Sequence, residues 1–148
     1  MLTQIVCIGN GFQEGDDLGP RVLDWLSARR LPEDVELVDG GLRGLDLLGC
    51  VERADRVVFV DAVSGGEAPT PGRVVELRGE ARQLHAEQSF GHGAGLSYLL
   101  RVLPWACQGP PPEWVVVGTE PPFCDSTVQA VAERVLALAA SDRLQDAP

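Results

Sequence analysis

The stretch that decides the fold is "IVCIGNGFQEGDDLGPRVLDWL", which runs from Ile5 to Leu26. Its first part is a mostly apolar run that predicts a strand at residues 4–9, buried on both faces. Its last part has apolar residues at helical spacing, which predicts an amphipathic helix at residues 18–30. The loop between them contains glycines and three acidic residues, Glu14, Asp16 and Asp17.

The same alternation of strand and helix continues along the chain. Further strands are predicted at residues 35–38, 56–63, 73–79 and 114–118, and further helices at 45–51, 96–103 and 126–140. The pattern predicts an α/β fold, a three-layer α/β/α sandwich with a five-stranded, mostly parallel sheet. Because no helix separates the strands at 56–63 and 73–79, the latter is predicted to be an antiparallel edge strand. No repeat or linker is found, so residues 1–148 are predicted to form one domain with a loose tail from about residue 141.

Composition excludes several classes of function. The chain has 22 acidic residues and 12 basic ones, all arginine, for a net charge of −10. Without a basic stripe, nucleic-acid binding is not expected. No apolar run approaches the roughly 20 residues of a membrane span, and no signal peptide is recognised. The four cysteines form no CxxC pair, which argues against a zinc knuckle or disulfide framework and favours a reducing, cytoplasmic environment.

Acidic residues follow three of the predicted parallel strands. Asp16 and Asp17 follow the first, Asp39 follows the second and Asp61 lies near the end of the third. The carboxyl ends of such strands meet at one edge of the sheet, where ligands bind. Carboxylates gathered there repel one another unless a cation or protons intervene, so the sequence predicts a metal site.

A histidine is available to complete that site. His92 lies between glycines ahead of a helix, and one imidazole with two carboxylates suits a divalent metal. His85, in a polar stretch, is predicted to be solvated. The residues alone leave other interpretations open, since Asp16 or Asp17 could cap the helix and Asp39 could shape a turn.

Taken together, these segments resemble one known family, the hydrogenase maturation endopeptidases. The resembling segments, in chain order, are "GNGFQEGDDLG", "DGGLRG", "VVFVDAV", "PGRVVEL", "HGAGL" and "VVVGTEP", and they span nearly the whole chain. Members of the family remove a C-terminal extension from the large subunit of nickel-iron hydrogenases after nickel insertion. The resemblance therefore implies a metal-dependent endopeptidase whose partner is the large-subunit precursor.

The resemblance also implies a ligand set. Carried over by motif, the metal ligands and catalytic residues are Asp16, Asp61 and His92. The metal would be nickel supplied by the substrate, with zinc or cadmium able to substitute in vitro. The first motif departs from the family pattern, because its acidic pair lies one position later. Counting from Gly9 selects Asp16, whereas aligning the acidic pairs selects Asp17.

Two other functions are compatible with parts of the same pattern. A phosphoacceptor receiver domain also has acidic residues at these strand ends, but it needs a late lysine, and this chain has no lysine. A non-catalytic α/β module that senses a metal or small ligand is the remaining alternative. The protein itself is expected to be a cytoplasmic monomer.

Overall fold

The computed structural model describes residues 1–64, 72–78, 89–90, 95–141 and 144. Its sheet has the order β2–β1–β3–β6–β4, and a two-residue strand, β5, pairs with β3 outside that series. The strands are β1 (Thr3–Ile8), β2 (Val35–Gly41), β3 (Arg56–Ser64), β4 (Val75–Arg78), β5 (Ser89–Phe90) and β6 (Glu113–Thr119).

Pairing within the sheet is mostly parallel. Strand β1 is parallel to β2 and β3, and β3 is parallel to β6. Strand β4 runs antiparallel to β6 at the edge of the series, as the missing helix before it predicts. The short β5 is also antiparallel, and it lies in a polar segment where no strand was expected. The predicted fold class is confirmed.

Helices cover both faces of the sheet. They are α1 (Leu18–Ser27), α2 (Leu48–Val51), which follows a 3-10 turn at Gly44–Leu47, α3 (Leu96–Ala106) and α4 (Asp125–Ala139). Helix α1 ends three residues earlier than expected, and Pro32 follows closely, where the preceding residue is biased away from helix. Among the described residues, no helix is both long and apolar enough to cross a bilayer.

The central strands alternate their side chains between two apolar cores. Ile5 and Cys7 of β1 pack with α1 and α4 on one face. Val6 and Ile8 pack with α2 and α3 on the other. This period of two, with both faces buried, explains why the strands are continuous apolar runs. Leu144 is fully buried in the first core, whereas the other residues beyond Ser141 lie outside the described part of the chain.

Helix α1 lies directly against the end of β1, and Gly19 is what allows this. A Cβ atom at Gly19 would lie 2.0 Å from the carbonyl oxygen of Ile8 and 2.6 Å from its nitrogen. No larger residue fits there without moving the helix. The close approach therefore locates the start of α1, and with it the acidic loop, at the carboxyl end of β1.

Candidate functional site

The loop between β1 and α1 holds Asp16 through hydrogen bonds of its own. The backbone N–H of Asn10 donates to both the main-chain oxygen and the Oδ2 of Asp16, at 3.0 and 3.2 Å. The N–H of Asp16 donates to the carbonyl of Gln13 at 3.1 Å. The N–H of Phe12 donates to Oδ1 of Asn10 at 2.9 Å. These bonds close the loop and leave Asp16 only 3% exposed.

Glycine at position 9 is required for this closure. Gly9 has φ of +137°, a backbone conformation that other residues rarely adopt. A Cβ atom there would lie 2.2 Å from the main-chain oxygen of Asp16. The Gly9-Asn10 pair therefore has a structural reason: the glycine lets the backbone turn, and the backbone N–H of the asparagine donates hydrogen bonds to Asp16.

Asp61 is the most deeply buried acidic residue of the site. It lies on β3, beside Gly118 of β6, and its side chain is 0% exposed. Its Oδ1 accepts the N–H of Ala62 at 2.8 Å, whereas its Oδ2 has no hydrogen-bond partner within the described residues. A buried carboxylate oxygen without a partner is costly, so its presence suits a ligand that is bound during function.

The two aspartates affect each other electrostatically. Burial raises the pKa of Asp61 and the charge of Asp16 adds to the increase, against the opposing effect of the Ala62 N–H, so that the pKa of Asp61 is about 8. At neutral pH the Asp61 carboxyl therefore keeps a proton unless a cation replaces it. Two adjacent carboxylates, one with a free oxygen, fit a divalent metal as two of its ligands.

The loop carboxylate whose charge acts on Asp61 is that of Asp16, and not that of Asp17. Asp17 is half-buried and directly precedes α1, where its main-chain oxygen accepts the N–H of Arg21 at 3.0 Å. Its side chain makes no capping hydrogen bond to the helix. The geometry thus agrees with the register counted from Gly9, although the role of Asp16 as a ligand stays a prediction.

Asp39 lies apart from this buried pair. It is exposed near the end of β2, and its main-chain oxygen accepts Nη2 of Arg43 at 2.5 Å. It lies opposite Cys7 in the β1–β2 register. Burial, with the charge of Asp39, raises the pKa of the Cys7 thiol, so Cys7 is an inert core residue.

The third predicted ligand, His92, lies outside the described residues, as does His85. Within the described part of the chain, no three His, Cys, Asp or Glu side chains are grouped to hold a metal ion. The described site is therefore a pair of carboxylates, and completing it with His92 remains a prediction.

One buried acidic residue was missed by the sequence analysis. Glu120 directly follows β6, at the same edge of the sheet, and is 8% exposed. The signal was available, because a carboxylate after an apolar strand is what drew attention to Asp61. Glu120 does not join Asp16 and Asp61 as a third metal-binding group.

Comparison with known proteins gives a consistent result. The model of the hydrogenase maturation protease family HycI matches residues 20–140. The chain is 28% identical to the hydrogenase 2 maturation protease of Escherichia coli K12, over 93% of this chain and 90% of that protein. The structure of the hydrogenase maturating endopeptidase HybD from E. coli has a TM-score of 0.72 at 28% identity, covering 92% and 88% of the two chains.

Some relatives are considerably longer than this chain. The hydrogenase expression/formation protein HupM of Azotobacter chroococcum mcd 1 is 32% identical over 79% of this chain. The chain spans only 56% of that relative's length. The family match begins at Pro20, so it does not include the acidic loop or decide between Asp16 and Asp17.

Proposed function

Because this chain belongs to the hydrogenase maturation protease family, we propose that it is an endopeptidase that removes a C-terminal extension from a nickel-iron hydrogenase large-subunit precursor. The observation that carries the proposal is the buried pair of Asp16 and Asp61, with one carboxylate oxygen unpartnered. Such a pair does not stabilise the fold, because burying two neighbouring carboxyl groups costs free energy and Asp61 can ionise only against the charge of Asp16. A cationic centre brought by a substrate offsets that cost.

Nickel held by the precursor is the proposed recognition element. Asp16 and Asp61 would each offer an oxygen to the metal, and His92 an imidazole nitrogen. The contact would hold the bond to be cut next to two carboxylates, one of which can accept a proton from water. In this scheme the enzyme needs no resident metal, and zinc or cadmium would occupy the same ligands in vitro.

The test is incubation of the purified protein with nickel-loaded and nickel-free precursor, followed by mass spectrometry of the large subunit. We expect shortening of the nickel-loaded precursor alone, and none with Asp61→Asn. Casein serves as a control substrate and should stay intact. Binding of the loaded precursor without cleavage would instead favour the non-catalytic sensing module.

The proposal also includes the cellular location and the oligomeric state of the protein. The absence of CxxC pairs and the acidic, lysine-free composition support a cytoplasmic protein that works as a monomer. Size-exclusion chromatography with light scattering at several concentrations tests the monomer, and fractionation of cells tests the location.

A further inference from the structure

A groove of about 580 Å³ lies beside the loop that holds Asp16. One wall consists of residues from the acidic loop and the first turn of α1: Glu14, Gly15, Asp17 and Arg21. The other wall is the segment after β6, which contributes Pro121, Pro122 and Phe123. Since Gly15 directly precedes Asp16, the groove is continuous in sequence with the candidate site.

The charge in this groove is negative and is not neutralised from within. Arg21 is already engaged, because its Nη1 donates to the carbonyl of Phe123 at 2.5 Å and its Nη2 to Oδ1 of Asp125 at 2.9 Å. Neither Glu14 nor Asp17 forms an ion pair among the residues that the structure describes. The groove therefore presents two uncompensated carboxylates to a ligand.

The opposite wall is apolar, and this narrows the choice of ligand. Two proline rings and a largely buried phenylalanine offer no oxygen or nitrogen side chain to a metal ion. A long basic side chain satisfies both walls, because its methylene stem covers apolar surface while its charged head reaches carboxylates.

We propose that this groove is a specificity subsite for the polypeptide next to the bond that is cut, and that it selects a lysine or arginine in that segment. The basic head would lie between Glu14 and Asp17, with its stem against Pro121 and Pro122. This inference rests on the proposed function, since the occupant is the precursor chain. The subsite also gives a role to Glu14 and Asp17, the two acidic residues of the loop that are not proposed as metal ligands.

The test uses charge reversal at Glu14, which is exposed and makes no described side-chain contact that a substitution would break. Glu14→Arg should raise KM for the nickel-loaded precursor about tenfold at low salt while kcat changes little. Glu33→Arg makes the same change of charge in the exposed loop before β2, away from the groove, and should leave KM unchanged. An equal KM for the two variants would overturn the subsite.

A charge exchange with the substrate makes the test specific. Each lysine or arginine within a few residues of the cut is replaced in turn by glutamate in the precursor. One of these precursors should be processed poorly by the unmodified enzyme and better by Glu14→Arg. If none is rescued, the groove does not select a basic side chain.

Binding separates this inference from the proposed function. Affinity for the loaded precursor is measured by calorimetry with Asp16→Asn and with the double variant Glu14→Arg/Asp16→Asn, neither of which should cleave. Weaker binding by the double variant supports the subsite even if the unmodified protein fails to cut, in which case only the protease proposal fails. Loss of nickel binding by Glu14→Arg alone, with unchanged precursor binding, would make the groove a cation site and overturn the inference.

Discussion

Strand β3 carries one buried ionisable side chain near each end, and the surroundings of the two are opposite in character. Arg56 at its start is 6% exposed and Asp61 near its end is 0% exposed. Arg56 donates to the main-chain oxygens of Ser141 and Ala139, at the carboxyl end of α4, although its Nε has no described partner. Asp61 forms no ion pair with a described cation, and the charge that acts on it is that of another carboxylate, Asp16.

The difference separates a structural charge from a functional one. A cation at the carboxyl end of a helix is favoured by the helix dipole and by unsatisfied carbonyls. The hydrogen bonds that Arg56 donates within the folded chain thus account for its burial. The burial of Asp61 is not accounted for in this way, because burial and Asp16 both oppose its ionisation. We infer that the amino end of β3 serves the fold and the carboxyl end serves a ligand.

The largest effect is expected from a substitution that tests whether the carboxyl end of β3 serves a function. Asp16→Asn should lower precursor processing by about a thousandfold, because it removes one charge from the pair while keeping the side chain's size. Asp17→Asn should keep its kcat and change only KM, because Asp17 lines the neighbouring groove and is not part of the buried pair. A charge at a helix terminus contributes only about 0.3–1 kcal/mol. Single-turnover cleavage assays measure both, and thermal melts check folding. The reverse result would shift the loop register by one residue, and two active variants would make the carboxylates structural.

The next effect tests whether the amino end is structural. Arg56→Met should lower the free energy of unfolding by about 1–3 kcal/mol, because it leaves buried carbonyls at the end of α4 without donors. Processing per folded molecule should not change. Arg53→Met is the matched control, since its ion pair with Glu36 spans 3.7 Å on the surface and contributes little. Urea denaturation gives both values, and equal losses would contradict the assigned role.

The next prediction concerns how the free energy of unfolding depends on pH in the absence of metal, for the wild-type protein and for Asp61→Asn. The pKa of Asp61 is raised from 3.8 to about 8 in the folded protein, so the folded state holds a proton that the unfolded state has released. The contribution of this proton to the free energy of unfolding is fully present below pH 3.8 and is lost as the pH rises to about 8. The wild-type protein should therefore lose up to about 1.4 kcal/mol per pH unit relative to Asp61→Asn. Denaturation in a chelator at pH 5 to 8 measures this. A pH-independent difference would mean that Asp61 ionises normally.

Metal affinity of the isolated protein tests the third ligand. His92→Ala should weaken binding of nickel, zinc or cadmium by about tenfold, because a three-ligand set becomes a pair of carboxylates. His85→Ala is the matched control and should bind like the unmodified protein. Calorimetry measures both affinities. Unchanged affinity in His92→Ala would remove His92 from the ligand set.

Much of the fold could be predicted because the signals are local. An apolar run such as residues 56–63 must be buried on both faces, and the spacing of Leu18, Val22 and Leu26 fits one face of a helix. The antiparallel edge strand followed from the missing helix before it. The two-residue β5 could not be predicted, because two residues are too few to show a strand pattern in the sequence, and their pairing with Val63 and Ser64 joins segments distant in the chain.

For the site, the sequence by itself determined the residue types and their place at the carboxyl ends of the strands. It could not determine which acidic residue of the loop faces Asp61, because that depends on how Gly9 and Asn10 close the loop on Asp16. Nor could it separate the two charges of β3. That difference lies in what surrounds each charge, α4 in one case and the acidic loop in the other, and these neighbours are distant in sequence. Only the tertiary structure brings them to the strand, since burial and electrostatic energy depend on distance in space.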